Sequence, residues 1–143
     1  MIDSNLLIYW EDALTGVKNE VAIDLIDRLA SDGRGVLSVQ CLTEFVRISR
    51  RKLATIVSSE QLLRDTEALI LQFTVLPVTL DAFKEGLAAN AKYQISYWDS
   101  FIWAVAKLNG VEYILSEDGQ HGREIEGVRY LNPFVPDFVL PAA

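Results

Sequence analysis

The sequence predicts an α/β protein, a three-layer α/β/α sandwich around a central, mostly parallel sheet. Three observations carry that expectation. Short apolar runs of strand length alternate with helical stretches of ten or more residues, an alternation that implies parallel pairing with helices on both faces. Glycine or proline falls at the joins, as at Gly33, Gly35, Pro77 and Gly110. Half of the 143 residues are hydrophobic, enough for the core of a single domain spanning 1–143.

Along the chain, Met1 and Ile2 are all that precedes Asp3, so the first strand is expected to be very short. Val21, Ala22, Leu25, Ile26 and Leu29 recur at helical spacing, with Asp24, Asp27 and Arg28 on the opposite side. Gly33 and Gly35 end that helix. Val36–Val39 suits a buried strand, and a helix from about Gln40 to Lys52 follows, with Leu42, Phe45 and Val46 as its apolar side. Ser58 and Gln61 form a capping-box pattern for a helix whose stripe is Leu62, Leu63, Leu69, Ile70 and Phe73. Val75–Val78 reads as a strand with Pro77 near its end. Phe83, Leu87 and Ala91 space a further helix, and Tyr97–Asn109 is the most apolar one, closed by Gly110. Val111–Leu115 and Val128–Leu131 complete the strands.

The totals exclude several classes. No basic segment followed by an apolar one opens the chain, and the longest apolar run in the second half, Phe101–Ala106, is far too short for a membrane span. A soluble, cytoplasmic protein is expected. Cys41 is the only cysteine, so no internal disulfide or cysteine zinc site can form. The net charge of −7 runs against broad nucleic-acid affinity, which normally uses a basic surface. Arg47, Arg50, Arg51 and Lys52 are the one concentrated cationic stretch; the alternative for them is a helix end whose dipole favours cations.

In open α/β sheets, sites form at the carboxyl ends of the strands. Four acids fall there or at helix entrances: Asp3, Glu44, Asp99 and Asp118. Each has a bland alternative. Asp3 could cap a helix over Asn5–Trp10, Asp99 could complement a helix dipole, and Asp118 could be a turn residue before Gly119. Glu44, between Cys41 and Phe45, is harder to explain so, and Asp99 shares a helix face with Ile102, Trp103 and Ala106. Should the four converge, carboxylates about 5 Å apart at an effective dielectric of about 20 repel by about 3 kcal/mol per pair. No Lys or Arg in these segments offsets that. A hard divalent cation would, and an all-oxygen donor set selects Mg²⁺ or Mn²⁺ over zinc. Such a cation activates water for phosphodiester hydrolysis.

The segments Ile2–Tyr9, Thr43-Glu44-Phe45, Tyr97–Ser100 and Leu115–Gly119 resemble, in order and spacing, the motifs of PIN domains. Ile114–Gly122 followed by Asn132-Pro133-Phe134 resembles VapC-type toxins in particular. The resemblance implies a Mg²⁺- or Mn²⁺-dependent endoribonuclease, a cognate antitoxin that occludes its site, and a homodimer. It implies Asp3, Glu44, Asp99 and Asp118 as the catalytic, metal-binding quartet, with Asn5 and Ser116 in hydrogen-bonding support. A catalytically weak PIN-like module that binds RNA or a protein is the alternative. A phosphoacceptor reading lacks an evident Lys and Thr at later strand ends, and Asn5 stands where an acid-phosphatase-like site needs a second Asp.

Among the remaining residues, Glu117 is expected to be solvated, His121 to occupy a surface turn, and Trp98 and Trp103 to pack in the core or at a dimer seam. The tail Pro133–Pro141 is expected to cover a sheet edge or meet a partner.

Overall fold

A computed structural model describes residues 1–142. Its elements run α1 (Ser4–Glu11), a short 3-10 turn (Ala13–Thr15), α2 (Val17–Ser31), β1 (Val36–Ser38) and α3 (Val39–Lys52). There follow α4 (Ser59–Gln72), β2 (Thr74–Leu76), α5 (Leu80–Tyr93), α6 (Tyr97–Leu108), β3 (Tyr113–Leu115), β4 (Glu124–Ile125) and β5 (Val128–Leu131).

The sheet is assembled from two pieces. β1 pairs parallel with β2, and β3 pairs parallel with β5, while β4 lies antiparallel on β5. The first three residues join them: Ile2 donates to Val36 O (2.9 Å), Leu115 donates to Met1 O (2.8 Å), and Asp3 donates to Leu115 O (3.0 Å). Ile2 and Leu115 form a parallel bridge. The expected first strand is therefore that single bridge.

Neighbouring strand residues feed opposite cores, as the two-residue period of a strand requires. Ile2, Leu37, Leu115 and Leu131 enter one core with Leu6, Leu25, Phe45 and Leu69 of the α1–α4 side. Met1, Ile114, Val128 and Tyr130 enter the other, with Ala89, Ile102, Trp103 and Val105 of α5 and α6. That is the three-layer sandwich the alternating pattern predicts. Phe134, Phe138 and Leu140 of the tail pack on the first core, whereas Val139 is exposed. Among the described residues no helix is long and apolar enough to cross a membrane.

Several local expectations shift. β1 ends at Ser38 because that residue's side chain caps α3, accepting from Cys41 N at 3.1 Å, so Val39 is already helical. β2 lies one residue earlier than expected and stops before Pro77, which has no N–H to continue a ladder. β3 is the last three residues of the expected run, since the backbone of Gly110 turns through φ +66° and Val111 is still bonded to Ala106 O. The apolar stripe of α5 also moves. Its buried face is Ala82, Gly86 and Ala89, while Phe83 and Leu87 are half exposed. Close approach to α6 is the reason: a Cβ on Gly86 would stand 2.6 Å from Phe101 Cδ1. On α4, Leu62 and Leu69 face inward but Leu63 and Ile70 do not.

Candidate functional site

Asp3 sits where the bridging segment enters α1, and it plays both roles considered for it. It is the N-cap of α1, accepting from Ser4 N on Oδ1 at 2.7 Å, yet it is also buried at the carboxyl end of the sheet. Its Oδ2 accepts from Ser116 Oγ at 2.7 Å, the residue that follows β3. Asn5, in the first turn of α1, reaches the same point: its Nδ2 lies 3.3 Å from Asp3 Oδ2, 3.0 Å from Ser116 Oγ and 3.2 Å from Asp118 Oδ2. Two amide hydrogens are thus shared among three acceptors. Asp118 N also donates to Ser116 Oγ (3.1 Å), so Asn5 and Ser116 tie Asp3 to Asp118.

Asp99 arrives from the first turn of α6. Ser96 caps that helix, accepting from Asp99 N (3.1 Å) and donating to Asp99 Oδ2 (2.6 Å), so its hydroxyl holds both the backbone and the side chain of Asp99. The dipole role is therefore real, but Asp99 is half buried and borders the same cleft as Asp3, Ser116 and Asp118, a space of about 260 Å³. It does not point into the core beside Ile102, Trp103 and Ala106, as helix-face counting suggested. Glu44, buried on α3, is outside that lining and faces Asp3 from the other side. Its Oε2 accepts from Ser4 Oγ at 2.9 Å, and Ser4 Oγ lies 3.4 Å from Asp3 Oδ1.

Electrostatics binds the four together. Burial pushes the Asp3 carboxyl up to about 6, against the pull of Ser116 and Ser4, and the charges of Asp99 and Asp118 push further. Burial also raises Glu44; Ser4 lowers it, Asp3 and Asp99 raise it, and Arg47 lowers it. Burial first, then the charge of Asp3, lifts the Cys41 thiol to about 12, so it is an inert core group. Arg47 is thus one cation the sequence reading overlooked as an offset, and Arg123, at the cleft, is another.

Among the described residues no three acidic, cysteine or histidine side chains close on one point. A small hard cation does not need them to, because Mg²⁺ keeps several waters and is held through one or two carboxylates. The donors present, carboxylates with Asn and Ser oxygens and no His or Cys, fit such an ion.

The remaining expectations divide. Arg47, Arg50, Arg51 and Lys52 are exposed, the last three in the final turn of α3, as the helix-end alternative holds. Arg47 and Arg50 also border an open groove with Thr66 and Ile70 of α4. Glu117 is not free in solvent: it accepts from Lys18 Nζ (2.7 Å) and from the Tyr9 hydroxyl. His121 Nδ1 accepts from Asn132 N (3.0 Å), which fixes it in its turn. Trp103 is core, donating to Ile125 O (3.1 Å), and Trp98 is half exposed. Ser4, Ser96, Arg123 and Tyr130 belong to the site and were not singled out from sequence. Ser4 and Ser96 carried a signal, being a neighbour of Asp3 and a cap three residues before Asp99. Arg123 and Tyr130 carried none, since only the pairing of β5 brings them to the cleft.

Comparison with known proteins follows the same lines. No curated protein matches the chain significantly in sequence. A toxin–antitoxin complex from Klebsiella pneumoniae contains a chain of similar fold, with a TM-score of 0.68 and 20% identity over 93% of this chain and 96% of that one. VapC20 of Mycobacterium tuberculosis, a sarcin-ricin loop cleaving toxin, aligns with a TM-score of 0.61 and 16% identity over 79% of this chain and 85% of that one. The family model of the PIN domain matches residues 1–123, which takes in all four acids, and the chain belongs to the PIN domain family.

Proposed function

We propose that this chain is a divalent-metal-dependent endoribonuclease, the toxin of a VapBC-type toxin–antitoxin pair, acting as a single domain in the cytoplasm. The observation that carries the reading is the convergence of Asp3, Asp99 and Asp118 on one cleft, with Asn5 and Ser116 bridging two of them. The fold shared with toxin chains supports the toxin assignment.

Asp3, Glu44, Asp99 and Asp118 would hold Mg²⁺ or Mn²⁺. When bound, the ion supplies an activated water and charge stabilisation at the scissile phosphate. The protein's own work is positional. Ser116 and Ser4 aim the Asp3 carboxylate, Ser4 holds Glu44 to it, Ser96 fixes Asp99, and Asn5 fixes Asp118. Raised Asp3 and Glu44 carboxyls retain protons more readily than ordinary acids, which limits their mutual repulsion until a cation enters. The exposed Arg47, Arg50, Arg51 and Lys52 would meet the RNA backbone beyond the cleft. A basic segment of a cognate antitoxin would cover the acids, and the exposed Leu80, Phe83, Leu87, Tyr97 and Trp98 on α5 and α6 would serve a homodimer.

A second reading, a catalytically weak module that binds RNA or a protein, draws on one observation: both oxygens of Asp3 already accept hydrogen bonds. One assay decides between them. The purified protein should cut RNA in Mn²⁺ or Mg²⁺, and EDTA or Asp99→Asn should abolish cutting. Residual cleavage by Asp99→Asn equal to that of the unaltered protein would remove the proposed site, and no cleavage in either metal would favour the binding module.

A further inference from the structure

The cleft also carries groups of opposite character. Besides the acids it is lined by Arg123 and Tyr130. Tyr130 is only 6% exposed, and its hydroxyl has no hydrogen-bond partner, although a buried phenol normally finds one. The group cannot swing away to seek one. Its residue is held in β5 opposite Ile114, its N–H donates to Arg123 O (2.9 Å), and its ring lies under Gly119, where a Cβ would stand 2.5 Å from Tyr130 Cδ1. Packing therefore leaves an unsatisfied donor just beneath the surface of the cleft, in a residue that lines it.

Arg123 is anchored but not consumed. One terminal nitrogen donates to Tyr93 O at 2.8 Å. A guanidinium has five N–H donors, so most of its capacity is left, and it forms no ion pair among the described residues. It is the one cation lining a cleft otherwise bordered by three acids. A guanidinium offers donors only, and the unpartnered phenol O–H beside it is free to donate, so an oxyanion can accept from both at once. Size limits the ligand further. At about 260 Å³ the space falls near the lower end of ordinary small-molecule sites, a size that suits one nucleotide at a time.

We propose that Arg123 and the Tyr130 hydroxyl form an oxyanion subsite that takes the phosphate of the nucleotide next to the scissile bond. This rests on reading the acids as the site of RNA cleavage. The two sets of groups then divide one strand between them: the acids take the scissile phosphate, and the donors hold its neighbour. The polarity also gives a chain of net charge −7 a local hold on phosphate inside an acidic cleft. Both residues are positioning groups; neither is assigned a proton transfer.

The test is equilibrium binding of a fluorescent single-stranded RNA hexamer in Ca²⁺, followed by anisotropy across a salt series. Tyr130→Phe removes only the hydroxyl and should weaken binding about ten-fold without changing the salt dependence, because no charge is lost. Arg123→Gln should weaken it at least as much and flatten the slope of log K against log salt by about 0.7, one phosphate contact on a single strand. Arg123→Lys should restore the slope, which a purely structural role for Arg123 would not produce. Thermal melting of each variant identifies any that is misfolded, and the isosteric Tyr130→Phe keeps the question decidable if Arg123→Gln is. Affinities of Tyr130→Phe and Arg123→Gln within two-fold of the unaltered protein would overturn the subsite. Cleavage in Mn²⁺, with Asp99→Asn as control, is scored separately. Loss of binding without any cleavage shows that the two residues hold RNA phosphate but removes the nuclease reading and with it the place beside a scissile bond; Asp99-dependent cleavage with unchanged binding removes the subsite and leaves the nuclease reading.

Discussion

Ser116 makes more of the site than any acid does, because its hydroxyl is both donor and acceptor. It donates to Asp3 Oδ2 and accepts from Asn5 Nδ2 and Asp118 N, all within a nearly fully buried spot. Removing it leaves the buried Asp3 carboxylate short of its best donor, a deficit that costs about 1–3 kcal/mol. Asn5 is half exposed and spreads longer contacts over three acceptors, so water replaces much of what it gives. Urea unfolding of metal-free protein should therefore rank Ser116→Ala as clearly more destabilising than Asn5→Ala; the reverse order would mean that Asn5 holds the loop. A different residue governs pH. Glu11, at the end of α1, has its carboxyl pushed from the ordinary 4.5 to about 7 by burial first, then by the charge of Asp65 and a hydrogen bond with it. The folded protein holds this proton more tightly than the unfolded chain. Its contribution is complete below pH 4.5 and is lost as pH rises through about 7. Glu11→Gln should raise Tm at pH 8 and leave it unchanged at pH 4.5, with the gain moderated because the half-open position screens part of the repulsion. An equal Tm difference at both pH values would rule that origin out. At this scale the acids were legible because each lies beside a boundary that hydrophobic pattern marks. Arg123 and Tyr130 were not, since their meaning depends on a partner strand.

Among elements, the connection after β3 is the one that positions chemistry, and α2 braces it from outside. Lys18 Nζ donates to Glu117 Oε2 and lies 3.1 Å from the Tyr9 hydroxyl, 4.7 Å over the Tyr9 ring and 5.3 Å over Phe134. With Glu117 N near Asn5 Oδ1, the clamp joins α1, α2 and the tail to the backbone that carries Ser116 and Asp118. An exposed ion pair adds at most about 1 kcal/mol to stability, so Lys18→Met should barely move the urea midpoint. Local opening is another matter, because only a few groups order this loop. Hydrogen exchange at the amides of Glu117–Gln120 should accelerate in Lys18→Met while the amides of β3 stay protected; unchanged exchange would show that the loop is held without the clamp. Element boundaries divided along similar lines. Caps were legible, as at Ser58, whose Oγ accepts from Gln61 N at 3.1 Å, although the Gln61 side chain bonds Asp65 instead of closing the box. Strand ends were misjudged by one or two residues wherever a capping serine, Pro77 or Gly110 cut the ladder before the apolar run ended. The α5 stripe was misread because small residues, not large ones, face α6.

At the scale of the molecule, the alternation of helices and strands sufficed to read the sandwich, but not what holds its sheet together. β1–β2 and β3–β5–β4 share no direct pairing; their link is the backbone of Met1–Asp3. Ile2 does three things there. Its N–H bonds to one piece, its bridge partner Leu115 belongs to the other, and its side chain, 1% exposed, fills the α1–α4 core between Leu37 and Leu115 on the neighbouring strands. A segment this short is nearly invisible to periodicity, which needs several residues to show a period of two. Its energetic weight is nonetheless large, since truncating a buried Ile to Ala costs about 2–5 kcal/mol in transfer and cavity terms. Leu14, 79% exposed on the 3-10 turn, removes as many carbons when truncated but has little burial to lose, so it should stay within about 0.5 kcal/mol of the unaltered protein. Ile2→Ala should therefore lower the urea midpoint strongly while Leu14→Ala does not. It should also weaken protection of the β1 and β3 amides together, because both pieces lean on the same residue. A loss confined to β3 would assign Ile2 to one half of the sheet only, and a cost below about 1 kcal/mol would mean that the helices, not the bridge, hold the two halves in register.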